Sequence, residues 1–113
     1  MTFVRPLSEM RTSPTACLFE GRDEAGVELS VFVTATPPGK GPSLHVHPYP
    51  EVFVVQEGEA TFTVGEQEER VGAGHVVVVP ADTPHGFKNF GEGKLQVVSI
   101  HPSGKVEQVW LES

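Results

Sequence analysis

The stretch HVHPYPEVFVVQEG, residues 45–58, decides how this chain is read. Two of the five histidines stand two residues apart, and Glu51 follows four residues after the second. Side chains alternate faces along a strand, so His45 and His47 point one way and Val46 the other. Pro48 and Pro50 bend the chain before EVFVVQ resumes as a strand. Fixing that bend in advance reduces the conformational entropy lost when the three polar groups are ordered. Two imidazoles and one carboxylate form a set that binds transition metals and leaves coordination positions open. A single inward histidine, by contrast, is more often a hydrogen-bonded core residue. On these three residues alone the metal and core readings weigh equally.

The surrounding sequence is β-forming. VELSVFVTAT, residues 27–36, places Val27, Leu29, Val31 and Val33 on one face at a period of two. TPPGKGPS, residues 36–43, breaks the chain with three prolines and two glycines and reads as a loop. SLHVH reads as a short strand. EGEA is a hairpin turn and TFTV returns; GEQEE, residues 65–69, is the next turn. HVVVV, HGFKNF and LQVVSI read as strands separated by PADTP and GEGK, and KVEQVWLE, residues 105–112, reads as the last. Roughly nine or ten short strands with turns every eight to twelve residues call for a sandwich or a small barrel.

The 113 residues allow one domain, read as 15–113, preceded by an arm over 1–14 that is either flexible or crosses to a partner subunit. A formal charge of −7 without a basic stripe argues against nucleic-acid binding. The acidic cluster of Glu66, Glu68 and Glu69 reads as a solvated turn. The single cysteine, Cys17, permits no internal disulfide. The first residues lack the apolar run of a signal peptide, and no segment approaches the ~20 apolar residues of a membrane span. The expectation is a cytoplasmic protein without membrane contact.

A further histidine, His85, follows the proline-flanked turn PADTP at the mouth of a strand and is placed to face the first two from across a barrel. His75 and His101 read as structural, His101 being the stronger candidate for a pocket residue. At this point the residues resemble the paired motifs of the cupin superfamily. The first motif is matched by Gly39, His45, His47, Glu51 and Gly58. The second is matched by Gly74, Pro80, His85 and Asn89, with Asp82 in place of its middle glycine. Aspartate tolerates turn geometry, so the departure is mild.

The resemblance implies an all-β fold, a small antiparallel β-barrel of the double-stranded β-helix or jelly-roll type. It implies one divalent transition metal per chain, Fe, Mn, Ni, Zn or Cu, held by His45, His47, Glu51 and His85. By similarity to small single-domain cupins it implies a homodimer that adds strands across subunits. Even spacing from the ligands puts Phe53, Val55 and Phe87 beside the metal, with His101, as a substrate pocket; the alternative for the phenylalanines is plain core. No lysine or arginine falls on a ligand face. Glu51 is the candidate catalytic residue. The expected partner is a small, apolar or aromatic molecule. Three functions are in contention: a dioxygenase-type oxidoreductase first, then a non-oxidative isomerase, decarboxylase or lyase, then a binding module without turnover.

Overall fold

Valine alternation and tight glycine or proline turns organise the chain into eleven antiparallel strands among residues 3–112, which the structure, a computed structural model, describes. Six strands form one sheet, in the order β1 (Arg11–Ser13), β2 (Ala16–Glu20), β3 (Ser30–Thr36), β10 (Leu95–His101), β5 (Glu51–Glu57) and β8 (His75–Val79). Five form the other, in the order β11 (Val109–Trp110), β4 (His45–Val46), β9 (His85–Asn89), β6 (Glu59–Val64) and β7 (Gln67–Gly72). The result is a jelly roll. The two sheets are not closed into a barrel by strand pairing, which corrects the expectation of closure while keeping its antiparallel, all-β character.

The core sits between the sheets. Phe53, Val55, Ala60, Phe62, Val79, Phe87, Leu95 and Val97 are buried together. Phe62 meets Phe53 and Phe87 at ring-centroid distances of 5.1 and 5.0 Å. Burying one such side chain contributes ~1.5–3 kcal/mol, and close aromatic pairs add ~0.5–1.5 kcal/mol each. Gly58 makes the β5–β6 turn with φ 89°, and a Cβ there would lie 2.5 Å from the Lys94 carbonyl oxygen.

Several local expectations change. Val27 and Leu29 precede β3 rather than belonging to it, because a short helix, Gly21–Ala25, ends at left-handed Gly26 and delays the strand. GEQEE is not all turn: β7 starts at Gln67 and pairs with β6 along its whole length, its charged residues tolerated on an exposed edge. KVEQVWLE contributes only the two residues of β11. Residues 1 and 2 of the arm lie outside the described residues; beyond them the chain makes a 3-10 turn at Leu7–Met10 and then β1. No helix among the described residues is long and apolar enough to cross a membrane.

Candidate metal centre

β4 and β9 meet at one registered pair, His45 opposite His85, which sets the two rings 4.3 Å apart between centroids. His47 follows on the same face, and Glu51 opens β5 in the facing sheet. Asp82, in left-handed conformation at φ 60°, donates its backbone N–H to the His47 carbonyl at 2.8 Å and so ties the turn before β9 to the first histidine pair. All four side chains are buried, and one ligand atom from each lies within 4.8 Å of the others.

The outer ring nitrogens define the tautomers. Nδ1 of His45 lies 2.8 Å from the Ser43 carbonyl, that of His47 2.8 Å from the Glu107 carbonyl, and that of His85 2.9 Å from the Thr83 carbonyl. A carbonyl only accepts, so each Nδ1 carries the proton. In a neutral ring, Nε2 then offers a lone pair, the form required of a metal ligand.

Those lone pairs converge on a carboxylate. Nε2 of His47 and Nε2 of His85 each lie 2.9 Å from Glu51 Oε1. The His47 contact is close but misaligned, and this fully buried nitrogen makes no hydrogen bond. Burial pushes the Glu51 carboxyl upward, but contacts from His101, His47 and His85 outweigh it and hold the group well below the usual carboxylate range. Burial also pushes His45 down to about 4, which keeps it neutral and ligand-competent near pH 7. With Nδ1 of His47 and His85 already donating outward, only a second proton on each ring or a cation at the centre makes their contact with Glu51 attractive. The donor set of three imidazole nitrogens and one carboxylate oxygen fits a divalent transition metal.

His101 approaches Glu51 from the other side, with Nε2 3.0 Å from Oε2. Its Nδ1 lies 2.7 Å from the Tyr49 hydroxyl, which also accepts the Glu107 N–H at 3.1 Å. The hydroxyl proton is therefore free to go to His101 Nδ1, leaving a proton on Nε2 to face Oε2. The Nε2 contact, like that of His47, falls short of hydrogen-bond alignment and acts as a close electrostatic contact. Oε1 thus faces the ligand cluster while Oε2 is held by His101.

A cavity of about 440 Å³ opens onto this centre, with His45, Glu51 and His101 in its wall. Phe32, Phe53, Phe87 and Val97 supply apolar surface, and Thr34, Ser99 and Gln108 polar groups. Of the residues expected from sequence beside the metal, Phe53, Phe87 and His101 line the cavity. Val55 lies in the core behind it. His75 is exposed on β8 and donates to the Gly72 carbonyl at 3.0 Å, away from the cluster. Lys40 also lines the cavity; it arrives not from a ligand-bearing strand face but from the loop, where strand parity says nothing. Trp110 lies over His45 at 4.8 Å between ring centroids, brought there by β11 pairing with β4. The part played by Tyr49 was within reach of the sequence: His45, His47, Tyr49 and Glu51 continue one period of two through the PYP bend.

Comparison with known proteins agrees with this geometry. The family model described as Cupin domain matches residues 32–101. An uncharacterised protein of Streptomyces coelicolor is 35% identical over 74 residues, 66% of this chain and 70% of that one. The dimethylsulfoniopropionate lyase DddQ of Ruegeria pomeroyi is 33% identical over 84 residues, 73% of this chain but 42% of the lyase. Among solved structures, an oxalate oxidase superposes with a TM-score of 0.80 at 20% identity, covering 96% of this chain and 63% of its own. An oxalate decarboxylase of Bacillus subtilis gives 0.82 at 22%, covering 93% of this chain and 31% of its own. The chain thus spans less than two thirds of the lyase and of both oxalate enzymes, and at such identities the structures speak for the fold. With the family model matching well over half of its length, the chain belongs to the cupin family.

Proposed function

We propose that this chain is a metal-dependent enzyme in which His45, His47, Glu51 and His85 hold one divalent transition metal and the adjoining cavity admits a small organic substrate, with dioxygenase-type oxidation as the first reading. The observation that carries it is the convergence of three imidazole nitrogens on Glu51 at the wall of an open cavity. Four protein ligands leave positions free on an octahedral ion, whereas a structural site is closed. When bound, the metal supplies Lewis acidity and, for Fe, Mn, Ni or Cu, redox chemistry. The protein does the rest. Phe32, Phe53 and Phe87 bind an apolar substrate body and exclude water. Glu51 either stays a ligand, which lowers the net charge at the centre, or leaves it to accept a substrate proton, work that typically contributes ~10²–10⁴-fold.

The second reading is non-oxidative: decarboxylation or elimination on a small carboxylate. Lys40 in the cavity wall favours it, as does the relative that is a lyase. The Bacillus subtilis decarboxylase is known for Mn(II) centres, which makes Mn the first metal to load. The test is metal analysis of anaerobically purified protein, then oxygen-electrode assays of Mn-, Fe-, Ni- and Cu-loaded protein with phenols, diketones and small carboxylates. Oxygen uptake with a product supports the first reading. Product without oxygen uptake supports the second. A ligand retained tightly and recovered unchanged from every form leaves a binding module instead.

A further inference from the structure

The cavity beside the metal centre runs along the strands, and its two ends differ. On the six-stranded sheet its wall is the face shared by β10 and β3, where His101, Ser99 and Val97 stand beside Phe32, Thr34 and Thr36. Register sets Ser99 opposite Phe32, Val97 opposite Thr34 and Leu95 opposite Thr36. The wall therefore extends from His101 at the metal end to Thr36 at the level of Leu95, six steps of β10 or ~20 Å. On the facing sheet β9 runs the same way, from His85 at the centre to Asn89, four steps or ~13 Å further on. At that far end the loop leaving β3 is clamped to β9. Gly39 donates its N–H to the Asn89 carbonyl at 2.8 Å, and Asn89 donates its own to the Lys40 carbonyl at 2.9 Å. Gly41 follows so closely that a Cβ there would lie 1.9 Å from the Phe87 carbonyl oxygen. These contacts root Lys40 at the end of the cavity away from the ligands, on an exposed rim, whereas the ligands are buried.

Charge follows the same division. The chain carries −7, so it repels anions at large, and an anion is drawn only to a local cation. Lys40 is the one lysine or arginine among the described residues that line the cavity. Among the described residues it makes no ion pair: the carboxylates that pair do so with Arg5, Arg22, Lys105 or the imidazoles around Glu51. At the other end, three neutral rings, one carboxylate and a divalent ion leave the occupied centre net positive. Between the two ends the wall is apolar, with Phe32, Phe87 and Val97.

We infer that the cavity takes an amphipathic carboxylate, with its apolar body along Phe32, Phe87 and Val97, its carboxylate on Lys40 and its reacting end at the metal centre. This rests on the reading of the cavity as a substrate site. A carboxylate fits better than a phosphate because a single ammonium answers a single negative charge, and neither an arginine fork nor a second lysine joins it among the described residues. Lys40 then selects the substrate without touching the reacting atoms. The carboxylate it holds is a handle: at the level of the backbone it lies ~13 Å along β9 from His85, a span that the flexible lysine stem shortens. The bond that changes is elsewhere in the molecule, and decarboxylation at the metal would need a second carboxyl group on the same substrate.

Trp110 is the only tryptophan of the chain and stands in the cavity wall, so its fluorescence reads occupancy without turnover. The test is titration of the full chain, once with a chelator and once loaded with redox-inert Zn(II), using phenylbutyrate, its neutral amide and phenylpropyl phosphate. Phenylbutyrate is expected to bind at least about tenfold more tightly than the amide in both forms, a preference that weakens as salt is added. Lys40→Met, a change at an exposed loop position, is expected to abolish that preference while the amide binds as to wild type, and Lys40→Arg to keep most of it. Equal affinity for acid and amide in the wild type overturns the inference. So does a Lys40→Met protein that still prefers the acid, since the carboxylate then sits elsewhere, and so does a Trp110 signal that no probe moves. Tighter binding of the phosphate overturns the choice of carboxylate. Zn(II) uptake on the same samples separates this from the reading beneath it. Full uptake without acid preference removes the handle and leaves the metal centre; acid preference through Lys40 without uptake does the reverse.

Discussion

The hydroxyl of Tyr49 lies 2.7 Å from Nδ1 of His101, the last residue of β10, whose other nitrogen faces Glu51. The same hydroxyl accepts the Glu107 N–H, and the Glu107 carbonyl accepts from His47. The Tyr49 side chain and the backbone of Glu107 thereby fix two rings at the centre, those of His101 and His47. Tyr49→Phe keeps the ring stacked on His47, 12° from parallel, but strands His101 Nδ1 and the Glu107 N–H. The expected cost is ~1–3 kcal/mol for the groups left unpaired, read as a lower thermal midpoint, with metal stoichiometry unchanged because no ligand is lost. An unaltered melting curve would mean that the hydroxyl is not holding His101.

Metal content separates the histidines. His47 offers a buried nitrogen without a hydrogen-bond partner, whereas His75 is exposed and satisfied by Gly72. Altering a residue that merely orients a metal ligand typically costs ~10–100-fold in affinity, so His47→Ala, which removes a ligand outright, is expected to lose at least that much. His75→Ala should bind as the wild type does. Titration with Mn(II) or Zn(II) measures both. Full occupancy in His47→Ala at wild-type affinity removes His47 from the site.

Much of this was legible in the sequence because strands write their geometry at a period of two. His45, His47 and Glu51 are even-spaced, and so are the valines of β5, β8 and β10 that divide between core and surface. What was not legible depends on contacts between distant segments. Lys40 comes from a loop without periodicity. The Glu107 peptide reaches His47 from 60 residues away, and Trp110 covers His45 only because two-residue β11 happens to pair with two-residue β4. The helix Gly21–Ala25 spans a little over one turn, too short for an apolar stripe to form.

The metal-free protein should lose stability as the medium is acidified from about pH 6.5 to about pH 4. Burial lowers His45 to about 4 in the fold, while in the unfolded chain it titrates near ~6.5. Between those values the unfolded chain binds more protons, so folding weakens as pH falls. The contribution is complete above the unfolded value and gone below the folded one. A gap of this size corresponds to roughly 3 kcal/mol. Urea titrations in the presence of a chelator at several pH values measure it, with His45→Gln as the control expected to flatten this part of the profile. An equally steep profile in the control would assign the loss to other groups.

Asp82 holds a left-handed conformation where the related motif has glycine, and its N–H binds the His47 carbonyl. Left-handed backbone costs an ordinary residue ~1–2 kcal/mol, and aspartate less. Asp82→Ala should therefore destabilise by ~1 kcal/mol. Asp82→Gly should stay within about 0.5 kcal/mol of wild type, relief of strain being offset by the entropy of the unfolded chain. Chemical denaturation distinguishes the two, and equal stability of both variants would exclude backbone strain at this turn.

Glu51→Gln should move two measurements in opposite directions. In the metal-free protein the Nδ1 protons of His47 and His85 are committed to the Glu107 and Thr83 carbonyls, so a ring without a second proton turns its Nε2 lone pair toward Glu51. Their inward lone pairs then oppose a buried carboxylate at 2.9 Å. Glutamine has the same shape, no charge, and an amide N–H₂ that can donate to one of those lone pairs while its carbonyl accepts from His101. The variant should accordingly be more stable than wild type without metal, by ~1–2 kcal/mol, since two lone pairs no longer oppose a buried charge and a buried acceptor is satisfied. Metal affinity should fall, because the one anionic ligand is gone and amide oxygen is a weaker donor. The alternative is that the metal-free site holds imidazolium rings against Glu51. Glutamine would then break charge-assisted contacts worth ~1.5–3 kcal/mol each, and the metal-free variant would be the less stable one. Denaturation of wild type and Glu51→Gln with and without a chelator decides between these. Lower stability of the metal-free variant at pH 8 would show that protons, rather than a cation, complete this centre.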